Sequence, residues 1–220
     1  MTIKGGRGID HTSFSGNGSG ISLRDLSSVV IDGTEIDPAR PDESDVDTDN
    51  NTGAGLVIGV EGISEEAPSV VRGLHTSGNT NGIEVQPCTR FTLRGSYTGN
   101  NSLSGVYVAD GVSNFGACLG IEPLAASVDL GNGVGPDYGR NVFQAADAGR
   151  ATAICLNLAP PPGALGLPTW PTILAAGNLF GNIDCAVGGT LTRSATCSGQ
   201  VDLGGISPDG GAAIDLSNCQ

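Results

Sequence analysis

Residues 82–108 read GIEVQPCTRFTLRGSYTGNNSLSGVYV. Three short alternating runs sit between Gly and Asn turns, and the opening pattern, Gly-apolar-x-apolar, returns at the end. The same opening stands at Gly20-Ile21-Ser22-Leu23, Gly55-Leu56-Val57-Ile58, Gly82-Ile83-Glu84-Val85 and Gly105-Val106-Tyr107-Val108. A second run follows the first three openings: Val29-Val30-Ile31-Asp32-Gly33, Val70-Val71-Arg72-Gly73 and Phe91-Thr92-Leu93-Arg94-Gly95. A third element, FSGNGSG from Phe14, LHTSGNTNG from Leu74 and YTGNNSLSG from Tyr97, closes each unit in a Gly-Asn turn. GRNVF at Gly139 and GNLFGN at Gly177 read as the same kind of turn with an apolar follower.

Each run is three to five residues long with period-2 alternation, one face inward and one outward. Strands this short do not form a stable sheet alone. Stacking equivalent runs from successive units pairs every backbone group with the unit above and below. Gly and Asn suit the corners because both tolerate positive φ. The openings are spaced by 35, 27 and 23 residues. The excess is assigned to two polar insertions, residues 37–54 and 61–68, as a solenoid permits. No helix signal of real length is visible, and FQAADAGRATAI, near residue 150, has room for one helical turn or two.

This pattern resembles the right-handed parallel β-helix, in particular the pectate-lyase-like superfamily and secreted bacterial β-helix repeat proteins of unknown function. The predicted fold is all-β: a single-stranded right-handed parallel β-helix with coils of about 23 residues. One domain covers residues 1–220, with regular coils over 5–108. Over 109–220 the coils are less regular and cysteine-containing, carried by GRNVF, AICLNL, ILAAGNLFGNIDC and DLSNC, and end in a C-terminal cap. The resemblance is specific for architecture and names no reaction, because this fold hosts many functions. A β-sandwich would want longer strands and more aromatics. A leucine-rich repeat would want a fixed Leu/Asn consensus and a helical half.

Composition narrows the partners. Thirty-six Gly against five Phe, three Tyr and one Trp suit a chain of many turns with a core of small aliphatics. Twenty-three acidic residues against ten basic ones give a net charge of −13, which repels nucleic acid and anionic lipid. No apolar run is long enough to cross a bilayer as a helix. Cations and neutral polymers such as polysaccharides fit this field better. Six cysteines, Cys88, Cys118, Cys155, Cys185, Cys197 and Cys219, lack zinc-ligand spacing and read as disulfide candidates. Six cysteines allow about 15 connectivities, and close pairs such as Cys185 with Cys197 are preferred. Disulfides imply a secreted, periplasmic or cell-surface protein. MTIKGGRGID has no apolar signal core, so a leader is expected upstream. The first coil begins almost at Met1 with no visible cap, so end-to-end self-association or upstream coils are expected to cover its edge.

Several side-chain sets bear on chemistry. Asp32, Arg72 and Arg94 precede successive corner glycines and form a column when the coils stack. The column reads either as a cross-coil ion pair, worth little, or as a sugar- or anion-binding ladder of the kind polysaccharide lyases carry. Asp45, Asp47 and Asp49 crowd one loop with Asp42 and Glu43, an acidic set that suits calcium, the one cofactor implied. Its EF-hand pattern fails, since Leu56 stands where the bidentate Glu belongs; a solvated acidic loop is the plainer reading. The motifs of polygalacturonase-like enzymes (Asn-Thr-Asp, Asp-Asp, Gly-His-Gly, Arg-x-Lys) are missing, and no carboxylate pair is assignable. The only catalytic candidates are Arg72, Arg94 and Asp32. His11 and His75 share a following Thr-Ser but stand at different distances from the next turn, and they read as turn histidines. Trp170, in the Pro-rich stretch 157–171, serves either as a sugar-stacking platform or as a plug on the solenoid wall. The expected role is therefore structural or glycan-binding. The alternative is a polysaccharide lyase or hydrolase with a diverged, calcium-assisted site.

Overall fold

The computed structural model describes residues 2–4, 12–23, 29–33, 46–59, 68–86, 89–108, 128–131, 139–145, 152–156, 172–175, 178–181 and 200–202. Every regular element among them is a strand, and the strands fall into triplets. The first triplet is β1 (Thr2–Lys4), β2 (Thr12–Ser13) and β3 (Ile21–Leu23). The second is β4 (Val30–Asp32), β5 (Val46–Asp47) and β6 (Ala54–Ile58), and the third is β7 (Ser69–Arg72), β8 (Leu74–Ser77) and β9 (Asn81–Val85). Then come β10 (Phe91–Arg94), β11 (Tyr97–Asn101) and β12 (Ser104–Val108), followed by β13 (Val128–Asp129), β14 (Val142–Ala145) and β15 (Thr152–Leu156). The chain continues with β16 (Thr172–Leu174), β17 (Leu179–Gly181) and β18 (Gln200–Asp202).

First members of the triplets pair with one another, as do second and third members. This gives three parallel sheets. Sheet A runs β1-β4-β7-β10-β13-β16-β18, sheet B runs β2-β5-β8-β11-β14-β17, and sheet C runs β3-β6-β9-β12-β15. Each sheet is open at both ends. An all-β stack of parallel sheets in this order is compatible with a parallel β-helix or solenoid.

Register follows the apolar columns. In sheet C, Ile21, Leu56, Ile83, Val106 and Ile154 are successive partners, and so are Leu23, Ile58, Val85 and Val108. In sheet A, Ile3, Ile31, Val71 and Leu93 line up in the same way. Nearly all of these side chains are buried in one continuous core, and Ile3 packs on its rim. Each fully buried aliphatic contributes about 1.5–3 kcal/mol of transfer free energy. A one-residue slip would turn a whole column to solvent, so the pattern holds the register. The second and third runs read from sequence are therefore sheet A and sheet B, and the openings are sheet C.

Two readings change. The stretch 37–54 is not all insertion. Val46 and Asp47 form β5, and Thr48 through Gly53 turn the corner into β6. A two-residue strand with one apolar member is too short for alternation to reveal. FQAADAGRATAI contributes strand at both ends: Phe143, Gln144 and Ala145 lie in β14, and Thr152 starts β15. Residues 146–151, where a helical turn was expected, lie outside the described residues. GRNVF and GNLFGN turn a different corner. Asn141 and Asn178 stand between sheets A and B, whereas Asn17, Asn51, Asn79 and Asn101 stand between sheets B and C.

The turns also divide labour between their two residues. At the corner from B to C, positive φ falls on Gly16 (75°), Asn50 (55°), Gly78 (69°) and Asn100 (53°). The residue after each is Asn17, Asn51, Asn79 or Asn101. From Asn51 onward these are buried, and they bond from one triplet to the next. Asn51 N–H donates to Asn79 Oδ1 (2.8 Å), and Asn79 N–H to Asn101 Oδ1 (3.0 Å). Asn79 Nδ2 also donates to the Thr48 carbonyl (2.8 Å), and Asn101 Nδ2 to the Thr76 carbonyl (3.3 Å). The amides thus take up backbone groups that the bend leaves without a strand partner. This packing also explains the glycine that opens each run in sheet C. A Cβ on Gly82 would lie 2.5 Å from the Gly105 carbonyl oxygen and 2.8 Å from Asn101 Nδ2. Gly20, Gly55 and Gly105 are blocked in the same way.

Candidate functional site

Two outward faces carry polar side chains in register. On sheet A, alternation turns Asp32, Arg72 and Arg94 outward, and the pairing aligns them with one another and with Lys4. The column inferred from sequence is therefore present. Asp32 and Arg72 form no ion pair with each other. Arg72 is exposed and Asp32 half-buried. Arg94 instead reaches one strand further, where Nη2 meets Asp129 Oδ2 at 2.7 Å and Nη1 donates to the Asp129 carbonyl at 3.0 Å. Nη1 also donates to its neighbour, the Leu93 carbonyl, at 2.9 Å. Successive members of the column stand one strand spacing apart, ~4.8 Å.

Sheet B carries the second set. Asp47, His75, Tyr97 and Val142 are successive register partners on the outer face, while Thr48, Thr76 and Thr98 between them point inward and are fully buried. Asp49, two residues after Asp47, turns to the same side. His75 Nδ1 lies 3.2 Å from Asp49 Oδ1 and 3.8 Å from Asp47 Oδ1. Asp49 Oδ1 also accepts the Ser77 N–H at 2.8 Å. The His75 and Tyr97 rings stack at 4.8 Å, tilted by 7°, and the Tyr97 hydroxyl donates to Gln144 Oε1 at 2.9 Å. Gly99 is required here because a Cβ at that position would overlap the Tyr97 ring. His75 is 6% and Tyr97 4% exposed, so both rings are packed along the stacking direction and present little area to a ligand.

No family model, curated protein or solved structure matches the chain.

Most of the other sequence candidates lie outside the described residues: Asp45, His11, Trp170, Cys88, Cys118, Cys185, Cys197 and Cys219. Of the acidic set, Asp47 and Asp49 are placed. Both belong to the ordered sheet B face, and Asp49 is held by Ser77 and His75. Among the described residues no three His, Cys, Asp or Glu side chains gather as a metal site. Ser13, not His11, occupies the register position of His75. Cys155 is the register partner of Tyr107 in sheet C; it is buried and disulfide-bonded. No helix among the described residues is long and apolar enough to cross a membrane.

The juxtaposition of Asp49, His75, Tyr97 and Gln144 was not read from the sequence. Aligning DNNTG (from Asp49) with SGNTNG (from Ser77) by their ladder asparagines, Asn51 and Asn79, sets Asp47 opposite His75. That signal was available, and the acidic-loop reading of the same residues obscured it.

Proposed function

We propose that the chain is a right-handed parallel β-helix module of a secreted or cell-envelope protein, with a structural role and a glycan-binding face on sheet A. Right-handed winding is the hand taken by about 98% of parallel crossovers. The observation that carries the binding role is the register of Asp32, Arg72 and Arg94. It sets one ionic side chain per strand along the stacking direction, a spacing suited to an extended polymer. Arg72 contributes the accessible guanidinium, and Arg94, fixed by Asp129, defines the edge. The net charge of −13 favours a neutral polymer, or one whose few anionic groups meet Arg72 directly. Sheet B supplies stiffness through its ring stack, and the buried asparagines supply it at the corners.

The test is a polysaccharide panel with and without calcium, reading retention on each polymer together with unsaturated uronate absorbance and new reducing ends. Retention without product, weakened several-fold by Arg72→Ala at unchanged thermal stability, is the expected outcome. Absence of retention on every polymer by the folded protein would leave a purely structural solenoid. A second reading, a lyase or hydrolase, is favoured by the two carboxylates beside His75. Product lost in Asp49→Asn would establish it in place of the first.

A further inference from the structure

The chain contains Asn-Gly pairs at Asn17-Gly18 and Asn81-Gly82, and a third, Asn132-Gly133, outside the described residues. The two described pairs share a local sequence chemistry and stand in opposite environments. Asn17 and Gly18 form an exposed bend between β2 and β3. The backbone is tethered on one side only: the Asn17 carbonyl accepts the Thr52 N–H (2.9 Å) and the Gly18 carbonyl accepts the Gly53 N–H (2.7 Å). The Gly18 N–H donates to no described group, and a Cβ on Gly18 would meet nothing within 4 Å. The Asn17 side chain makes one bond, Nδ2 to the Ser15 carbonyl at 3.2 Å, at the surface.

Asn81 and Gly82 lie inside β9, paired on one side with β6 and on the other with β12. Gly82 is buried. Asn81 Oδ1 accepts the Ser104 hydroxyl at 2.7 Å. Bringing the Gly82 nitrogen onto the Asn81 side-chain carbon would take this segment out of both ladders.

We propose that Asn17 is a site of spontaneous deamidation and the chemical wear point of the stack. The Gly18 main-chain nitrogen attacks Asn17 Cγ, forming an N–Cγ bond. The Cγ–Nδ2 bond breaks, and ammonia leaves with the proton lost from the attacking nitrogen. Water then opens the five-membered succinimide at either carbonyl, leaving an aspartyl or an isoaspartyl residue. Glycine on the C-terminal side removes the Cβ that would obstruct this approach, and asparagine is among the residues that proteins of hot environments avoid. The position matters because the Asn17 N–H donates to Asn51 Oδ1 at 2.9 Å, the outermost bond of the asparagine ladder. An isoaspartyl linkage reroutes the main chain through the former side chain and displaces that donor. The inner rungs Asn51, Asn79 and Asn101 are buried and are followed by Thr52, Thr80 and Ser102 instead of glycine.

The experiment ages the full-length chain in mildly alkaline native buffer and maps peptides by mass spectrometry, with enzymatic isoaspartate labelling. Asn17 is expected to convert many-fold faster than Asn81 in the native protein. In denaturant the two should converge. Gly18→Ala, at a position with open space, should slow Asn17 conversion strongly without changing thermal stability. The proposal fails if Asn81 keeps pace with Asn17 in native buffer, if unfolding rather than the native bend is needed for Asn17 to react, or if Gly18→Ala converts at the wild-type rate.

Discussion

Two corners of this molecule are held by buried amides, and they are built differently. Between sheets B and C the ladder runs Asn51, Asn79, Asn101, the same residue type in each triplet, next to a glycine at every rung. Between sheets A and B the equivalent positions run Leu74, Ser96, Asn141, Asn178. Leu74 N–H donates to Ser96 Oγ (3.1 Å), Ser96 N–H to Asn141 Oδ1 (3.1 Å) and Asn141 N–H to Asn178 Oδ1 (2.9 Å). Among the described residues both corners are seen together in the third and fourth triplets. The third sets apolar Leu74 at one corner and Asn79 at the other, whereas the fourth carries polar side chains at both, Ser96 and Asn101. The residue at one corner thus changes from triplet to triplet while the other keeps its asparagine.

The sharpest way to break the comparison is to fill the space each ladder needs. A Cβ on Gly82 would press on the Gly105 carbonyl and Asn101 Nδ2. One on Gly139 would collide with the Leu130 carbonyl oxygen and Asn178 Oδ1. In both cases the nearest atom is a backbone carbonyl oxygen, so the backbone must shift. Gly82→Ala and Gly139→Ala are each expected to lower stability by at least about 1–3 kcal/mol, the usual cost of overpacking. Gly18→Ala is the neutral control. Urea midpoints read all three, and a Gly139→Ala protein as stable as wild type would remove the second ladder from the account.

Removing the amides themselves should separate the two corners. Asn79→Ala strands the Asn51 N–H and the Thr48 carbonyl, which have no second partner among the described residues. Asn141→Ala strands the Ser96 N–H, but both carbonyls it touches keep a second donor. Leu130 O is also reached by Asn178 Nδ2 (3.0 Å), and Leu93 O by Arg94 Nη1 (2.9 Å). At about 1–3 kcal/mol per stranded buried group, the expected losses are about 2–6 kcal/mol for Asn79→Ala and about 1–3 kcal/mol for Asn141→Ala. Chemical denaturation of both variants checks the order. The reverse order would mean that the second ladder carries the stack.

The same contrast explains what the sequence could disclose. Sheets A and C were legible because most of their strands alternate over three to five residues beside a glycine: the sheet C runs open on one that packing requires, and β4, β7 and β10 of sheet A end on one. Sheet B was legible only in part. Its inward residues Thr48, Thr76 and Thr98 are polar by composition, so hydropathy does not flag them, and β5 offers only Val46. The turn asparagines were visible as turns, but their role was not. Positive φ explains Asn50 and Asn100, whereas Asn51, Asn79 and Asn101 are retained for hydrogen bonds that exist only after stacking. The Asp32, Arg72, Arg94 column followed from repeat spacing. The contacts of His75 with Asp49 and Tyr97 required the register of sheet B, which the acidic stretch concealed.

The smallest expected difference concerns the bends themselves. Both corners hold exposed non-glycine residues in the left-handed region where other triplets place glycine. Asn100 (φ 53°) lies in the column of Gly16 and Gly78, and Arg140 (φ 50°) in the column of Gly73 and Gly95. An ordinary L-residue loses about 1–2 kcal/mol in this conformation, and asparagine much less because its short amide tolerates it. Glycine relieves that strain but raises the entropy of the unfolded chain by about 0.5–1 kcal/mol. The backbone contribution alone therefore makes Arg140→Gly neutral or stabilising by up to about 1 kcal/mol, less whatever the interactions of Arg140 itself contribute, while Asn100→Gly should be neutral or slightly destabilising. Thermal midpoints of the two variants, measured side by side, decide it. If Arg140→Gly proves the more damaging, the arginine side chain holds the A–B corner through its own contacts, and that corner is fixed by more than its asparagine ladder.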